Sequence, residues 1–163
     1  MASKNERVKR FDIRLAVTAD VYRIAEMSRD VIEQGLDWRW RPHRVLNNLR
    51  DPDTNVIVAC ENGHMAGFGI MKYKQEEAHL MLLAVGMAQR RRGVGKAMVS
   101  WLEHTALTAG IGCIYLETRL LNTEARRFYR QLGYREIRTF SGYYQGKEDA
   151  VLIGKDLWDV AIV

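Results

Sequence analysis

Residues 82–97, LLAVGMAQRRRGVGKA, pass from an apolar run through a basic turn into a helical pattern. The apolar run predicts a strand, and the pattern after it predicts a helix from about Val94 to Ala109. A helix N-terminus carries unpaired backbone N–H groups and about half a positive charge, so it binds phosphate without any particular side chain. Gly93 and Gly95 would let phosphate approach the backbone, and Arg90 to Arg92 would add charge-assisted contacts. The segment therefore predicts a phosphate-binding turn between a strand and a helix.

The same segment also fits a plainer interpretation, in which Arg90 to Arg92 form a solvated basic loop and Gly93 is a flexible turn residue. It lacks the three-glycine pattern of dinucleotide-binding turns, and no Gly-Lys-Ser or Gly-Lys-Thr follows as in the Walker loop. Those two classes of nucleotide-binding protein are therefore disfavoured.

A second strand–helix unit follows at 113–133. The run from Cys113 to Thr118 predicts a strand that carries the carboxylate Glu117 near its end, and Asn122 is placed to cap a helix that closes at Gly133. One face of that helix is apolar, which by itself predicts packing against a sheet. Taken alone, Glu117 would be a surface strand residue and Tyr129 a core residue.

The remaining sequence supplies further strands and helices without a repeat or a linker. The dipeptide Asn62-Gly63 between two β-rich runs predicts a hairpin with a type I′ turn. Thr18 is placed to cap a first helix, and Pro42 suits the first turn of a second. The order is βααββ, then βαβ, then αββ. We expect a polar N-terminal leader at 1–10 and a single domain at 11–163, with strands at 11–17, 55–61, 64–73, 78–87, 113–118, 134–140 and 149–156.

In this order, the two units resemble the acetyl-CoA-binding motif and the next strand–helix motif of the GNAT superfamily of N-acetyltransferases. The resemblance covers roughly 78–156. It implies an α/β (α+β) fold of the GNAT type, with a mixed, mostly antiparallel sheet of about six to seven strands flanked by about four helices. Several runs are similar to the ribosomal-protein alanine N-acetyltransferase type, which modifies protein N-termini: Leu116 to Arg119, Asn122, Phe128 to Tyr134, Tyr143-Tyr144, and Glu148 to Ala150.

The resemblance also implies roles for individual residues. It makes Glu117 the general base and Tyr129 the group that hydrogen-bonds or protonates the departing thiolate. It implies contacts to acetyl-CoA, as cosubstrate, from Leu83, Ala84, Val85, Arg90, Arg91, Arg92, Gly93, Val94, Gly95, Lys96, Asn122 and Tyr129. Tyr143 is a candidate wall for the substrate amine.

Two features depart from the pattern of the superfamily. Met87 replaces a proline that is common just before the phosphate-binding turn. The segment 35–41 contains Trp38 and Trp40, which do not fit the peptide-acetylating pattern. The two tryptophans either line the acceptor pocket or pack the connection between two helices.

The expected function is therefore transfer of an acetyl group from acetyl-CoA to a primary amine, in particular the α-amine of a protein N-terminus, without a covalent enzyme intermediate. Such an amine has a pKa near 8, so about a tenth of it is already neutral at pH 7. One alternative is an acetyltransferase of a small amine, an amino acid or an aminoglycoside. Another is a basic RNA-binding or regulatory module without enzymatic activity, although nucleic acid is the less expected partner.

Composition sets the remaining expectations. Hydrophobic residues make up 47% and charged residues 28% of the 163 residues, with a net charge of +5, which predicts a globular protein that attracts anions. The leader is too polar for a secretory signal peptide and no apolar run is long enough to span a membrane, so we expect a cytoplasmic protein. The four histidines and two cysteines lack metal-site spacing, so no metal is expected. Strand edges and terminal apolar runs would allow a homodimer.

Overall fold

The computed structural model describes residues 11–158, which form a central sheet with helices on both faces. The predicted element order is confirmed. The strands are β1 (Phe11–Leu15), β2 (Thr54–Glu61), β3 (His64–Tyr73), β4 (Glu77–Val85), β5 (Cys113–Arg119), β6 (Arg135–Tyr144) and β7 (Glu148–Asp156). The helices are α1 (Val21–Met27), α2 (Pro42–Arg50), α3 (Val94–Thr108) and α4 (Thr123–Gln131), and a π-helical turn, Ser28–Ile32, continues α1.

The sheet has seven strands in the order β1-β2-β3-β4-β5-β7-β6. Every neighbouring pair is antiparallel except β4 and β5, which are parallel and joined through α3. This is the mixed, mostly antiparallel sheet that the sequence predicts. The expected leader at 1–10 and the apolar end at 160–163 lie outside the described residues.

The hairpin between β2 and β3 also agrees with the sequence. Asn62 and Gly63 both have positive φ, 51° and 79°, as a type I′ turn requires. Glu61 and His64 face each other directly across the turn.

Two apolar cores lie on the two faces of the sheet. Between the sheet and helices α3 and α4, the core contains Met98, Leu102, Ile114, Leu116, Tyr129 and Ile153. Between the other face and helices α1 and α2, it contains Ile24, Ala25, Val45, Val58, Phe68 and Ile70. The buried residues of α3 are spaced so that one side of the helix is apolar and packs on the sheet. This packing holds the N-terminus of α3 at the end of β4.

A β-bulge at Met81 divides β4 into two parts. Leu80 pairs with Met71 and Leu82 with Ile70, so Met81 is the extra residue. Because an extra residue reverses the alternation of side chains, Leu80 faces the α3 core whereas Leu82 faces the α1–α2 core. The pairing of β4 with β5 covers only Glu77 to His79, and the two strands part beyond that point.

The structure corrects the predicted ends of four elements. Strand β4 ends at Val85 rather than Met87, because a 3-10 turn at Met87–Gln89 follows. Thr18 is not a helix cap, because a 3-10 turn at Thr18–Asp20 comes first and the carboxylate of Asp20 accepts from the backbone N–H of Val17 at 2.8 Å. Strand β1 ends at Leu15 rather than Val17. Strand β6 continues past Phe140 to Tyr144, which still pairs with Glu148 across a bulge. Among the described residues, no helix is both long enough and apolar enough to cross a membrane.

Candidate active site

The gap between β4 and β5 exposes one edge of β4. Gly86 donates its backbone N–H to Ala66 of β3, and peptide groups alternate in direction along a strand. The N–H and C=O groups of Ala84 therefore point toward β3 and belong to its hydrogen-bond ladder. Those of Leu83 and Val85 point the other way, into the gap between β4 and β5. A ligand with amide groups of its own could pair with this edge as a strand does.

The N-terminus of α3 lies next to that edge and has free backbone donors. Its N-cap is Gly93, in the left-handed region at φ 83°, and no side chain caps the helix. The N–H groups of Val94, Gly95 and Lys96 donate to no other group within residues 11–158. This is the arrangement of donors that binds an anion at a helix N-terminus.

The three arginines before α3 have different surroundings. The Arg92 guanidinium makes two hydrogen bonds to Glu61, at 2.6 and 3.0 Å. Arg90 lies 3.9 Å from the carboxylate of Glu124, at the start of α4. Arg91 adopts a left-handed backbone conformation, φ 62°, and pairs with no carboxylate of the described residues. The three arginines therefore do not form a uniform cluster around one anion.

Gly95 lets α4 approach the start of α3. A Cβ at this position would lie 3.2 Å from Cζ of Phe128 and 3.5 Å from Cγ2 of Val85. The Phe128 ring therefore covers the first turn of α3, beside the exposed edge of β4. A methyl group here would push the ring away.

Glu117 lies on the sheet face opposite α3 and is hydrogen-bonded to a histidine. Its Oε2 is 2.6 Å from Nε2 of His79, and its side chain is 15% exposed. The His79 ring stacks on Tyr115, with ring centroids 4.6 Å apart. His79 and Tyr115 are the last paired residues before β4 and β5 part. The carboxylate therefore lies where the gap begins.

Tyr129 is buried on the α3 side of the sheet. It packs edge-on against Phe128 and Tyr134, with ring centroids 4.9 and 5.5 Å away. Burial raises the pKa of Tyr129 well above its ordinary value, and the nearby Tyr144 adds to this rise. The hydroxyl donates to no group of residues 11–158. It is therefore a protonated donor that is available to a ligand.

Tyr143 and Tyr144 are the last two residues of β6 and lie near the Glu117 carboxylate. Burial raises the pKa of both hydroxyls, and the charge of Glu117 raises them further. Because charge effects of this kind act over short distances, Tyr144 lies near both Tyr129 and Glu117. Of the residues that the resemblance implies for the site, Tyr143 thus lies near Glu117, and the structure adds His79 and Tyr144 to the surroundings of this carboxylate.

Asn122 caps α4 through its side chain, as the sequence predicts. Its Oδ1 accepts from the backbone N–H of Ala125 at 3.1 Å. The amide Nδ2 keeps both of its hydrogens for another partner. Asn122 lies about two helical turns before the aromatic pair Phe128 and Tyr129.

The segment with the two tryptophans forms the connection between α1 and α2. Trp40 is buried in the α1–α2 core beneath the guanidinium of Arg44, which favours the packing interpretation for this residue. Trp38 is half-buried, donates to the carbonyl of Ala25 at 3.1 Å, and lies between Arg29 and Arg41. The buried Glu33 fixes this connection by accepting from the backbone N–H groups of Arg39 and Trp40 and from the hydroxyl of Ser28.

This connection meets the β6–β7 turn above the face that carries Glu117. Asp37 and Gln145 make two reciprocal hydrogen bonds, at 3.0 and 3.2 Å. Arg119, two residues after Glu117, donates to the carbonyl of Ile32 and to Glu148, both at 2.7 Å. An acceptor that reaches Glu117 from this face would pass between these two loops.

Comparison with known proteins places the chain in a family. The model of the acetyltransferase (GNAT) family matches residues 19–134, which include the gap, the α3 N-terminus and Tyr129. The chain belongs to the GNAT family.

Relatives within the GNAT family include acetyltransferases that act on proteins. The ribosomal protein bS18-alanine N-acetyltransferase of Escherichia coli is 33% identical over 96 residues, which are 57% of this chain and 65% of that protein, less than two thirds of its length. An N-alpha-acetyltransferase of Sulfurisphaera tokodaii is 25% identical over 91% of this chain and 95% of its own length. The crystal structure of the Escherichia coli enzyme superposes with a TM-score of 0.79 at 25% identity, covering 90% of this chain and 94% of that one.

The GNAT resemblance seen in the sequence is thus confirmed at the level of family and fold. Residue by residue, two members of the site were missed. His79 is a single histidine on a strand, and its pairing with Glu117 depends on a parallel register that the sequence does not show. Within residues 11–158, no group of three or more His, Cys, Asp or Glu residues is arranged to hold a metal ion.

Proposed function

We propose that this GNAT protein transfers an acetyl group from acetyl-CoA to the α-amine of a protein N-terminus. The observation that carries the proposal is the parting of β4 and β5 beyond His79, with Glu117 and the protonated Tyr129 beside the gap. The names of the relatives support an N-terminal amine as acceptor. The α3 N-terminus supports a cosubstrate that contains phosphate groups.

The residues present fit acetyl-CoA. The free donors of Val94, Gly95 and Lys96 would hold the diphosphate, and the exposed edge at Leu83 and Val85 would pair with the amides of the pantetheine arm. When bound there, acetyl-CoA supplies an acetyl thioester that is activated toward amines. No metal is needed to hold it in this arrangement.

We assign Glu117 the role of general base. The acceptor would come from the face of the α1–α2 connection, where this carboxylate accepts a proton from the ammonium group directly or through a water molecule. Because an α-amine has a pKa near 8, the base needs to remove only one proton from a group that is already partly neutral at pH 7. The hydrogen bond with His79 holds the Glu117 carboxylate in place.

We assign Tyr129 the role of a hydrogen-bond donor to the leaving sulfur. With ordinary pKa values, full proton transfer from a tyrosine to a thiolate is uphill by about 2 kcal/mol. Burial raises the pKa of Tyr129 and makes the transfer still less favourable. We therefore assign Tyr129 a hydrogen bond to the sulfur rather than complete protonation.

The test is acetylation of defined amines, read by mass spectrometry. Wild-type protein is incubated with acetyl-CoA and peptides that begin with Ala or Ser and contain an internal Lys, alongside spermidine and free amino acids. We expect acetylation at the peptide α-amine, and an activity at least about 100-fold lower in Glu117→Gln, since a general base contributes about this much. Glu26→Gln is the matched control, because it removes an exposed carboxylate whose only ion-pair partner within residues 11–158 is Arg23. Acetylation of the small amines alone would replace the proposed acceptor class, and absence of all transfer would reject the activity.

A further inference from the structure

We propose that Glu61 is a positioning residue for the phosphate-binding turn, and that it acts by anchoring the side chain of Arg92. The proposal rests on acetyl-CoA binding at this turn, as put forward above. It gives Arg92 a different task from its two neighbours. The arginine side chain would hold the turn in place, and the backbone amides of the turn would hold the diphosphate.

The contact between the two residues has the geometry of a specific anchor. The NH1 and NH2 nitrogens of Arg92 donate to different oxygens of Glu61, at 3.0 and 2.6 Å. Paired bonds of this kind fix the orientation of both planar groups. Glu61 is the last residue of β2 and pairs with Phe11 and His64, so the sheet holds its backbone. Its side chain is 18% exposed, against 54% for Arg92.

The turn needs such support because its own backbone provides little. Between Gly86 and the start of α3, Gln89 donates to Gly86, and no backbone N–H from Arg90 to Gly93 donates to another group of the described residues. Arg91 has a left-handed conformation at φ 62°, which costs a side-chain-bearing residue about 1–2 kcal/mol. The Arg92–Glu61 contact therefore links the most weakly held part of the turn to the sheet.

The same contact occupies the side chain that a phosphate group would otherwise attract. Both terminal nitrogens of Arg92 are directed at Glu61, whereas Arg91 has no carboxylate partner among residues 11–158. If Glu61 anchors the turn, removing its charge should weaken acetyl-CoA binding. If Glu61 instead competes with phosphate for Arg92, removing its charge should strengthen binding. A decrease in acetyl-CoA affinity therefore indicates anchoring, and an increase indicates competition for Arg92.

The experiment measures the dissociation constant of acetyl-CoA by calorimetry for the full-length protein and for Glu61→Gln. We expect an increase of about two- to fivefold, the size of one exposed ion-pair contact. The KM for acetyl-CoA should rise with it, while kcat and the KM for the acceptor peptide stay the same. A stronger or unchanged affinity overturns the proposal. Absence of binding by the wild-type protein overturns the proposed function together with it.

Two further measurements separate anchoring from a general loss of stability. Asp20→Asn removes the similar two-bond pair with Arg14, in which the carboxylate is 14% and the arginine 45% exposed, just before α1 and not in contact with Arg92 or Glu61. It should leave the affinity for acetyl-CoA unchanged. The exchanged double variant Glu61→Arg with Arg92→Glu should regain most of the lost affinity if Arg92 is an anchor. If Arg92 contacts phosphate directly, this variant should bind more weakly than Glu61→Gln, and that result overturns the proposal.

Discussion

Glu117 and Tyr129 differ in what surrounds them, and the difference suits opposite tasks. The carboxylate of Glu117 is held by a ring nitrogen of His79 on a face that an acceptor can reach. The ring of Tyr129 packs edge-on against Phe128 and Tyr134, and burial raises the pKa of its hydroxyl so that it keeps its proton. At the residue scale, the site therefore combines a proton acceptor with a proton donor across the gap.

The role of Tyr129 can be tested with Tyr129→Phe. Because the hydrogen bond to sulfur strengthens only as charge develops there, we expect kcat to fall by about 100-fold, as for loss of one such donor in other enzymes. The dissociation constant of acetyl-CoA, measured by calorimetry, should change less than about twofold, since the ring remains. Tyr134→Phe is the control. It removes a neighbouring buried hydroxyl that donates to Glu103 at 3.0 Å, and should lower stability without lowering kcat. Equal losses in kcat and affinity for Tyr129→Phe would contradict the assignment.

At the scale of elements, the sequence predicts the turns, caps and helix starts that depend only on residues adjacent in the chain. The Asn62-Gly63 turn, the Asn122 cap and the start of α3 at Val94 are all in this class, and all agree with the structure. The bulge at Met81 and the parting of β4 from β5 are not, because both depend on register between strands that are far apart in sequence. His79 and Tyr144 were missed for the same reason. His79 reaches Glu117 only because β4 and β5 pair in parallel, and Tyr144 comes near it only because β7 brings β6 toward β5.

Asn122 has two separable tasks, a helix cap and an expected contact to the cosubstrate. Asn122→Asp keeps an oxygen that accepts from Ala125 and adds a charge that suits a helix N-terminus, but it removes the amide hydrogens of Nδ2. We expect unfolding stability in urea to stay within about 0.5 kcal/mol of wild type, and acetyl-CoA affinity to fall. Asn122→Ala should lose about 1 kcal/mol of stability as well. Unchanged affinity in the Asp variant would leave Asn122 with the cap alone.

At the scale of the whole molecule, the two faces of the sheet carry different parts of the candidate site. The face toward α3 and α4 carries Tyr129 and the helix whose N-terminal donors are free, and the other face carries Glu117 beneath the α1–α2 connection and the β6–β7 turn. The contacts of Arg119, Asp37 and Gln145 join these loops over the sheet. On the α3 side, Lys155 donates to Glu103 at 3.1 Å and to the carbonyl of Leu132 at 2.8 Å, and so ties α3 to the end of α4. The site is thus assembled from segments along most of the chain.

The buried tyrosines predict how the stability of the whole molecule depends on alkaline pH. Burial raises the pKa of Tyr129, Tyr134 and Tyr144 above the ordinary value of 10.0, and for Tyr134 the charge of Glu103 adds to the rise. Above pH 10 the unfolded chain releases phenolic protons that the folded protein retains, so the free energy of unfolding falls as pH rises. Below pH 10 the three groups are neutral in both states and their contribution is fully present.

Each such group lowers the free energy of unfolding by up to about 1.4 kcal/mol per pH unit in this range. Urea unfolding at several values between pH 9 and 11.5 should show a steeper fall for wild type than for Tyr134→Phe, which lacks one of the groups. The comparison uses the slope of the free energy of unfolding against pH, not its absolute value. The contribution of lysines then cancels, because both proteins share it. The constant loss of the hydrogen bond to Glu103, already present at pH 9, cancels as well. Identical slopes would mean that the Tyr134 hydroxyl ionises in the folded protein as readily as in water, in conflict with its position between α3 and the end of α4.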